Sequence, residues 1–202
     1  MLRTPRLELR PDDDEGLLEL VEVSYGGVHP PEDMPFLIPW TDADPRYMGR
    51  ESLQFFWSQR AQVAPRRWAV HFLVRLDGRV VGLQSVTATD YEITREIDTG
   101  SWLGRAFQRR GIGTEMRSAV LQLAFDHLGA LLARSAAFTD NAASHRVSQR
   151  LGYRPDGTST VARRSVRAQL TRLAVGPDTF VRPEWTVEVD GLDGCRALLG
   201  AT

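Results

Sequence analysis

With 202 residues, the chain is long enough for one well-buried core and short for two full domains. Its 25 basic residues, every one an arginine, stand against 26 acidic ones for a net charge of −1; this excludes global attraction to nucleic acid or a membrane, and leaves any anion site local. A single cysteine, Cys195, excludes an internal disulfide, and with no zinc-spaced Cys/His cluster, no run near ~18 apolar residues and no signal-peptide core, a cytoplasmic protein without a metal is expected.

In chain order, Leu7 and Leu9 alternate with charged residues as in a half-buried strand, and Pro11 to Glu15 caps a helix running to about Val23. Five prolines between Pro30 and Pro45, beside Phe36, Trp40 and Tyr47, predict a packed loop over residues 26 to 50, followed by a helix over about 50 to 64. Residues 68 to 90 carry two apolar runs joined by Leu76-Asp77-Gly78-Arg79, an Asp-Gly hairpin signal. A third strand is expected at about 93 to 103, then a glycine turn, a helix to Phe125, a strand over 131 to 138 and a helix over 142 to 151 headed by Thr139-Asp140-Asn141 and ended by Gly152. Beyond Pro183, residues 185 to 189 read as a short strand in an extension, 183–202, that packs on the domain or joins a subunit interface.

The stretch from Thr99 to Phe125 carries the chemistry. An apolar strand enters Gln108-Arg109-Arg110-Gly111-Ile112-Gly113 and passes straight into an amphipathic helix. The first N–H groups of a helix lack intrahelical partners and its dipole is positive there, so an anion is favoured at that point. Gly111 and Gly113 let the backbone approach such a ligand, and Arg109 and Arg110 add cationic donors. A dinucleotide fingerprint would need a third glycine where Met116 stands, and a phosphate-binding Walker loop would need the lysine that this chain lacks. A plain strand-to-helix connection is the alternative for this stretch alone.

Together with Asn141-x-x-Ser144 and Leu151-Gly152-Tyr153, the Gln108-x-x-Gly111-x-Gly113-Thr114-Glu115 motif resembles the GNAT superfamily of acyl-CoA-dependent N-acyltransferases, in particular the branch that acetylates ribosomal-protein N-termini. FLIPWTD at Phe36 to Asp42, with TGSWLG and GTEMR, also resembles actinobacterial members that bind succinyl-CoA. The resemblance implies an α/β (α+β) fold in one domain over 1–182: a mixed, mostly antiparallel sheet flanked by helices, its fourth strand bulged and splayed from the fifth so that the CoA arm lies in the gap. It implies a clamp for acetyl-CoA or succinyl-CoA built from Trp102, Leu103, Gln108, Arg109, Arg110, Gly111, Ile112, Gly113, Thr114, Asn141 and Ser144, and no metal. It also implies an acceptor wall from the loop over 26 to 50 and the helix after it, although Phe36, Trp40, Phe55, Phe56 and Trp57 read individually as core.

An acyl transfer to an amine needs a neutral nucleophile, a donor for the oxyanion and a partner for the departing thiolate. By resemblance Ser144 serves the thiolate. Many members carry a tyrosine seven residues after the motif asparagine; here that position is Ser148. Glu96 and Asp98, on one face of the strand entering the turn, are the candidate bases, and both read equally as exposed charges. Ser144 also reads as a surface hydroxyl and Asn141 as a helix cap. Arg163, Arg164, Arg167 and Arg172 suit either a solvated strand face or recognition of a dicarboxylic acyl donor. The acceptor is expected to be a small amine or a peptide N-terminus, with a homo-oligomer implied by the resembling branch. A non-catalytic acyl-CoA sensor is the second reading. RNA binding is disfavoured by the neutral balance.

Overall fold

The computed structural model describes residues 1–201; Thr202, the last residue of the extension expected over 183–202, lies outside the described residues. In chain order the elements are β1 (Leu2–Arg3), β2 (Leu7–Pro11), α1 (Asp14–Tyr25), α2 (Pro45–Ala61), β3 (Arg67–Leu76), β4 (Arg79–Thr89), the single turn α3 (Tyr91–Thr94), β5 (Glu96–Leu103) and α4 (Ile112–Gln122). There follow β6 (Leu132–Phe138), α5 (Ala142–Arg150), β7 (Arg154–Arg163), β8 (Val166–Val175) and β9 (Glu188–Val189). One sheet holds the strands in the order β7-β8-β6-β5-β4-β3-β2-β1-β9. Every pairing is antiparallel except that of β5 with β6.

Local chemistry explains most of these boundaries. Leu7 and Leu9 are buried while Arg10 is exposed, the alternation of a strand with one covered face. Asp77 and Gly78 both take positive φ, 50° and 80°, as the tight turn between β3 and β4 demands. Asp13 caps α1 by accepting from the Gly16 N–H at 2.7 Å. Helix α2 begins at Pro45, five residues before the position expected from sequence, because Asp44 accepts from the Arg46 N–H and Pro45 occupies the first helical position, where no N–H is needed.

Two further boundaries differ from expectation. The strand expected from residue 93 starts only at Glu96: buried Tyr91, whose hydroxyl donates to Leu128 O at 3.0 Å, closes a helical turn flanked by Asp90 and Arg95 in the left-handed region. The helix expected to reach Phe125 keeps α geometry only to Gln122, then widens into a π-helix over Leu123–Leu128, which ends on Gly129 at φ 74°. The wider turn brings Leu123, Phe125 and Leu128 all into buried positions.

Helices α1 and α2 cover one face of the sheet, where Leu17, Leu20 and Phe56 meet Leu73, Val80 and Leu83. Helix α4 covers the other, and Ile112, Met116, Ala119 and Val120 join the larger core. At ~1.5–3 kcal/mol for each large apolar side chain removed from water, this burial fixes α4 against the sheet. The segment after Pro183 returns to the same body: β9 pairs with β1, the Gln122 amide accepts from Val187 N–H at 3.0 Å, and Trp68 Nε1 donates to Leu199 O at 3.0 Å.

Candidate active site

The two parallel strands pair over only three residues, Glu96 with Leu132, Ile97 with Ala133 and Asp98 with Arg134. Beyond Asp98, β5 continues along β4 and β6 along β8, so the sheet forks. At about 3.3 Å per residue, Thr99 to Leu103 give the gap a wall roughly 16 Å long. Side chains close its apex: Thr99 Oγ1 donates to Arg134 O at 3.1 Å and Ser135 Oγ to Thr99 O at 3.2 Å. The splay implied by the resemblance is present, but the bulge is elsewhere. β5 holds an unbroken register against β4 from Asp98 to Leu103; the irregularities fall at Val81 of β4, which is left over opposite Val74 and Arg75 of β3, and on β7 between Pro155 and Thr158. Gly82 permits that unbroken contact, since a Cβ there would lie 2.3 Å from Trp102 O.

Two helix N-termini face the open end of the gap. The chain leaves Leu103 through a 3₁₀ turn, Arg105–Phe107, and enters α4 at Gly111, whose φ of 79° favours glycine. No side chain caps α4. The Ile112 side chain is buried, so Ile112 can offer a ligand only its backbone; a Cβ on Gly113 would lie 3.7 Å from Val147 and 3.9 Å from Leu103, which wedges the first turn between β5 and α5. Arg109 and Arg110 are exposed, and among the described residues neither guanidinium has a partner. Glu115, which follows Thr114 in the same turn, is held by Thr4 Oγ1 at 2.6 Å and by Arg6 Nε at 2.7 Å, so its charge is neutralised away from the opening. At α5, Asn141 Oδ1 accepts from the Ser144 N–H at 3.1 Å, while the Ser144 hydroxyl has no partner among the described residues. Gln108 serves differently from the rest: its amide nitrogen donates to Val28 O at 2.7 Å and Leu103 O at 2.9 Å, pinning the start of the acceptor-side loop to the end of β5.

The face of β5 toward α1 and α2 presents Asp98, Gly100 and Trp102. A Cβ built on Gly100 meets nothing within 4 Å, so room exists above it. Trp102 meets Trp40 and Trp40 meets Phe36 in tilted contacts at 5.3 and 5.2 Å, and Phe36 meets His29 edge to face at 5.7 Å, an aromatic ladder that ties residues 29 to 40 to β5. The tip of the β7–β8 hairpin grips the same loop: Arg163 Nε donates to Met34 O at 2.7 Å and Arg164 pairs with Asp42 at 2.7 and 2.8 Å. The Arg164 hydrogen bond holds the Asp42 carboxyl below its ordinary range. Phe56 lies in the core, whereas Phe55 and Trp57 are half exposed on α2. Arg163 also pairs with Asp140 at 2.6 Å, and Arg172 donates to Asp156 O, Thr158 O and Ser159 Oγ.

The candidate bases separate. Glu96 sits outside the gap and is gripped by Arg134 at 2.6 Å, which also holds Asp156 at 2.6 Å. Asp98 occupies the last paired position, at the apex, where it is exposed to solvent; partial desolvation by the surrounding protein raises its carboxyl above the ordinary range against the opposing pull of Arg134.

On the α4 face lies a polar cluster that spacing alone does not disclose. Arg117 is 4% exposed, yet among the described residues it has no carboxylate partner: Nη2 donates to Ser101 Oγ at 2.8 Å, Nη1 to Ser148 Oγ at 3.2 Å, and Nε is buried with no partner there. Tyr153 shares a hydrogen bond with Thr99 Oγ1 at 3.1 Å, and burial pushes its phenol upward, so it stays protonated. All eight residues from Glu115 to Gln122 are buried, and the signal the sequence offers is an arginine set between Met116 and the apolar run Ala119-Val120-Leu121.

The family model described as an acetyltransferase (GNAT) domain matches residues 6–154. Among solved structures, the chain is similar to Mycobacterium smegmatis RimJ in complex with CoA-disulfide, at 17% identity and a TM-score of 0.70 over 88% of this chain and 86% of that one. It is similar to RimL, a ribosomal L7/L12 alpha-N-protein acetyltransferase in complex with coenzyme A, at 17% identity and a TM-score of 0.68 over 87% and 97%. A third likeness is to the microcin C7 self-immunity acetyltransferase MccE in complex with acetyl-CoA and AMP, at 15% identity and a TM-score of 0.65 over 86% and 93%. At these identities the structures speak for the fold, and the family match speaks for the chemistry: the chain belongs to the GNAT acetyltransferase family and is an acyl-CoA-dependent N-acyltransferase.

Proposed function

We propose that this enzyme moves an acetyl group from acetyl-CoA to a primary amine, a small molecule or a peptide N-terminus, by direct attack within a ternary complex. The observation that carries the reading is the fork after Asp98 with the uncapped N-terminus of α4 at its open end. Backbone N–H groups from Gly111 to Gly113, with Arg109 and Arg110, would hold the pyrophosphate, while the Thr114 N–H already donates to Gly111 O at 3.1 Å, and the edge of β5 through Trp102 and Leu103 would line the thioester arm. Acetyl-CoA is favoured over succinyl-CoA as donor because three of the four arginines, Arg163, Arg164 and Arg172, are already engaged by Asp140, Asp42 and the β7 backbone, which among the described residues leaves Arg167 alone, without a bidentate cluster, for an acyl carboxylate.

On the opposite face, the room above Gly100 between Asp98 and Trp102 is where the amine would approach. The amine attacks in its neutral form, and Asp98 receives the proton that nitrogen sheds as it bonds to the thioester carbon; Glu96, tied to Arg134, is not needed for this step. A backbone N–H of β5 meets the oxyanion, and the Ser144 hydroxyl offers a hydrogen bond to the departing sulfur. The names RimJ and RimL support a protein N-terminus as acceptor, and the aromatic ladder from His29 to Trp102 supports an apolar first side chain. Thiol release from acetyl-CoA over a panel of amines and N-terminal peptides tests the reading. Amine-dependent release is expected. Tight acetyl-CoA binding with no release for any acceptor would favour the sensor instead.

A further inference from the structure

Arg117 is a full positive charge sealed in the protein, and among the described residues it has no counter-ion. An uncompensated buried cation is costly, and a folded chain that retains one commonly does so where negative charge arrives during function. Of the five N–H groups of a guanidinium, two are engaged by Ser101 and Ser148, and Nε is buried without a partner. Those two serines fix its place. Ser101 lies on β5 beyond the last residue paired with β6, on the wall of the gap; Ser148 lies on α5 one turn after Ser144, on the same helix face. Ser148 is fully buried, so the hydroxyl that accepts from Arg117 Nη1 at 3.2 Å is closed off from water together with the guanidinium.

Resting on the function proposed above, we infer that Arg117 supplies the fixed positive charge that stabilises the CoA thiolate as it leaves. As the amine nitrogen bonds to the thioester carbon, the carbon–sulfur bond breaks with its electron pair passing to sulfur, and the proton lost by nitrogen passes to Asp98. Arg117 keeps its own protons throughout; burial pushes its pKa down, but a guanidinium starts too high to serve as an acid. Its contribution is electrostatic: a charge placed beforehand where negative charge develops, in a site shielded from water. Tyr153, the titratable group facing it, stays neutral and leaves that charge unopposed.

The test is the ionisation of the bound product thiol. CoA is titrated with pH in complex with the wild type, Arg117→Met and Arg117→Lys, reading thiolate absorbance in the ultraviolet, with CoA affinity by calorimetry and folding by thermal melting alongside. In the wild type the bound thiol is expected to ionise about one pH unit or more below free CoA. That lowering is expected to vanish in Arg117→Met and to return in part in Arg117→Lys, with kcat for acetyl transfer falling about 100-fold in Arg117→Met and KM for acetyl-CoA nearly unchanged. A wild-type bound thiol that titrates like free CoA overturns the proposal without any variant. So does equal ionisation in wild type and Arg117→Met, or a succinyl-CoA preference that disappears in Arg117→Met while the thiol titration stays fixed, which would assign Arg117 to an acyl carboxylate. Absence of CoA binding by the wild type would instead remove the function on which the inference rests.

Discussion

The two faces of β5 are built by opposite means. Toward α4, Thr99 and Ser101 enter a sealed network with Tyr153, Arg117 and Ser148, in which the donors are fixed before any ligand arrives. Toward α1 and α2, Asp98, Gly100 and Trp102 look onto open room and a loop held by a chain of ring contacts and hydrogen-bonded arginines at its rim. The closed face suits a donor whose thioester arm is the same in every turnover, and the open face suits an acceptor that must enter, react and leave. The division also sorts mutations: changes on the α4 side should act on donor affinity and the chemical step, and changes on the loop side on acceptor recognition.

The largest expected effect is at the shared entrance. Gly111→Asp forces a side chain onto a residue at φ 79° and brings a negative charge to the α4 N-terminus. Loss of two charge-assisted hydrogen bonds, ~3 kcal/mol, would weaken acetyl-CoA binding about 100-fold in calorimetry, with the circular dichroism spectrum preserved. Undiminished affinity would remove α4 from the donor site.

Asp98→Asn tests the apex, where the two faces meet. Removal of the base is expected to lower kcat about 100-fold and to abolish the acidic limb of the pH–rate profile, leaving acetyl-CoA affinity intact. Stability should move the other way. Because the folded-state pKa of Asp98 is raised above its unfolded value, the native state binds the extra proton, and stability contributed by that proton declines as pH rises through the folded pKa. Asp98 is exposed, so solvent screens most of the penalty its ionised carboxylate carries at pH 7, and a melting temperature equal to or slightly above wild type is expected for Asp98→Asn. Marked destabilisation at pH 7 would show that Asp98 is a structural anchor instead.

Smaller effects belong to the open face. Trp40→Ala removes the middle ring of the ladder, worth ~0.5–1.5 kcal/mol per aromatic pair, and is expected to raise the acceptor KM several-fold while donor binding stays constant. A shift in acetyl-CoA affinity instead would break the division between faces. Asp42→Asn loosens only an exposed tie to Arg164, so an unchanged melting temperature and at most a twofold change in acceptor KM are expected.

The cradle could be read from sequence because its chemistry lies in consecutive residues: Arg109 to Thr114 carry glycines, cations and a helix start together. Strands with strict alternation and the Asp-Gly hairpin were equally legible. The start of α2 was missed although Asp44-Pro45 is a cap and first-position pair, since the prolines before it drew the loop too far. The π-helix after Gln122 and the turn at Tyr91 follow from how distant residues pack, which local pattern does not carry. Arg117 is the sharpest case: its meaning depends on Ser101, 16 residues earlier, and Ser148, 31 residues later, and only folding joins the three. Asp98 and Glu96 look alike in sequence, and Arg134, 38 residues beyond Glu96, is what tells them apart.

The central claim is that the fork and the α4 N-terminus together hold an acyl-CoA. Calorimetric titration of the wild type with acetyl-CoA, repeated with Gly111→Asp, tests it most directly. One site per chain in the wild type and about 100-fold weaker binding in the variant are the expected result. No detectable binding by the wild type, or equal affinity in both proteins, would contradict it.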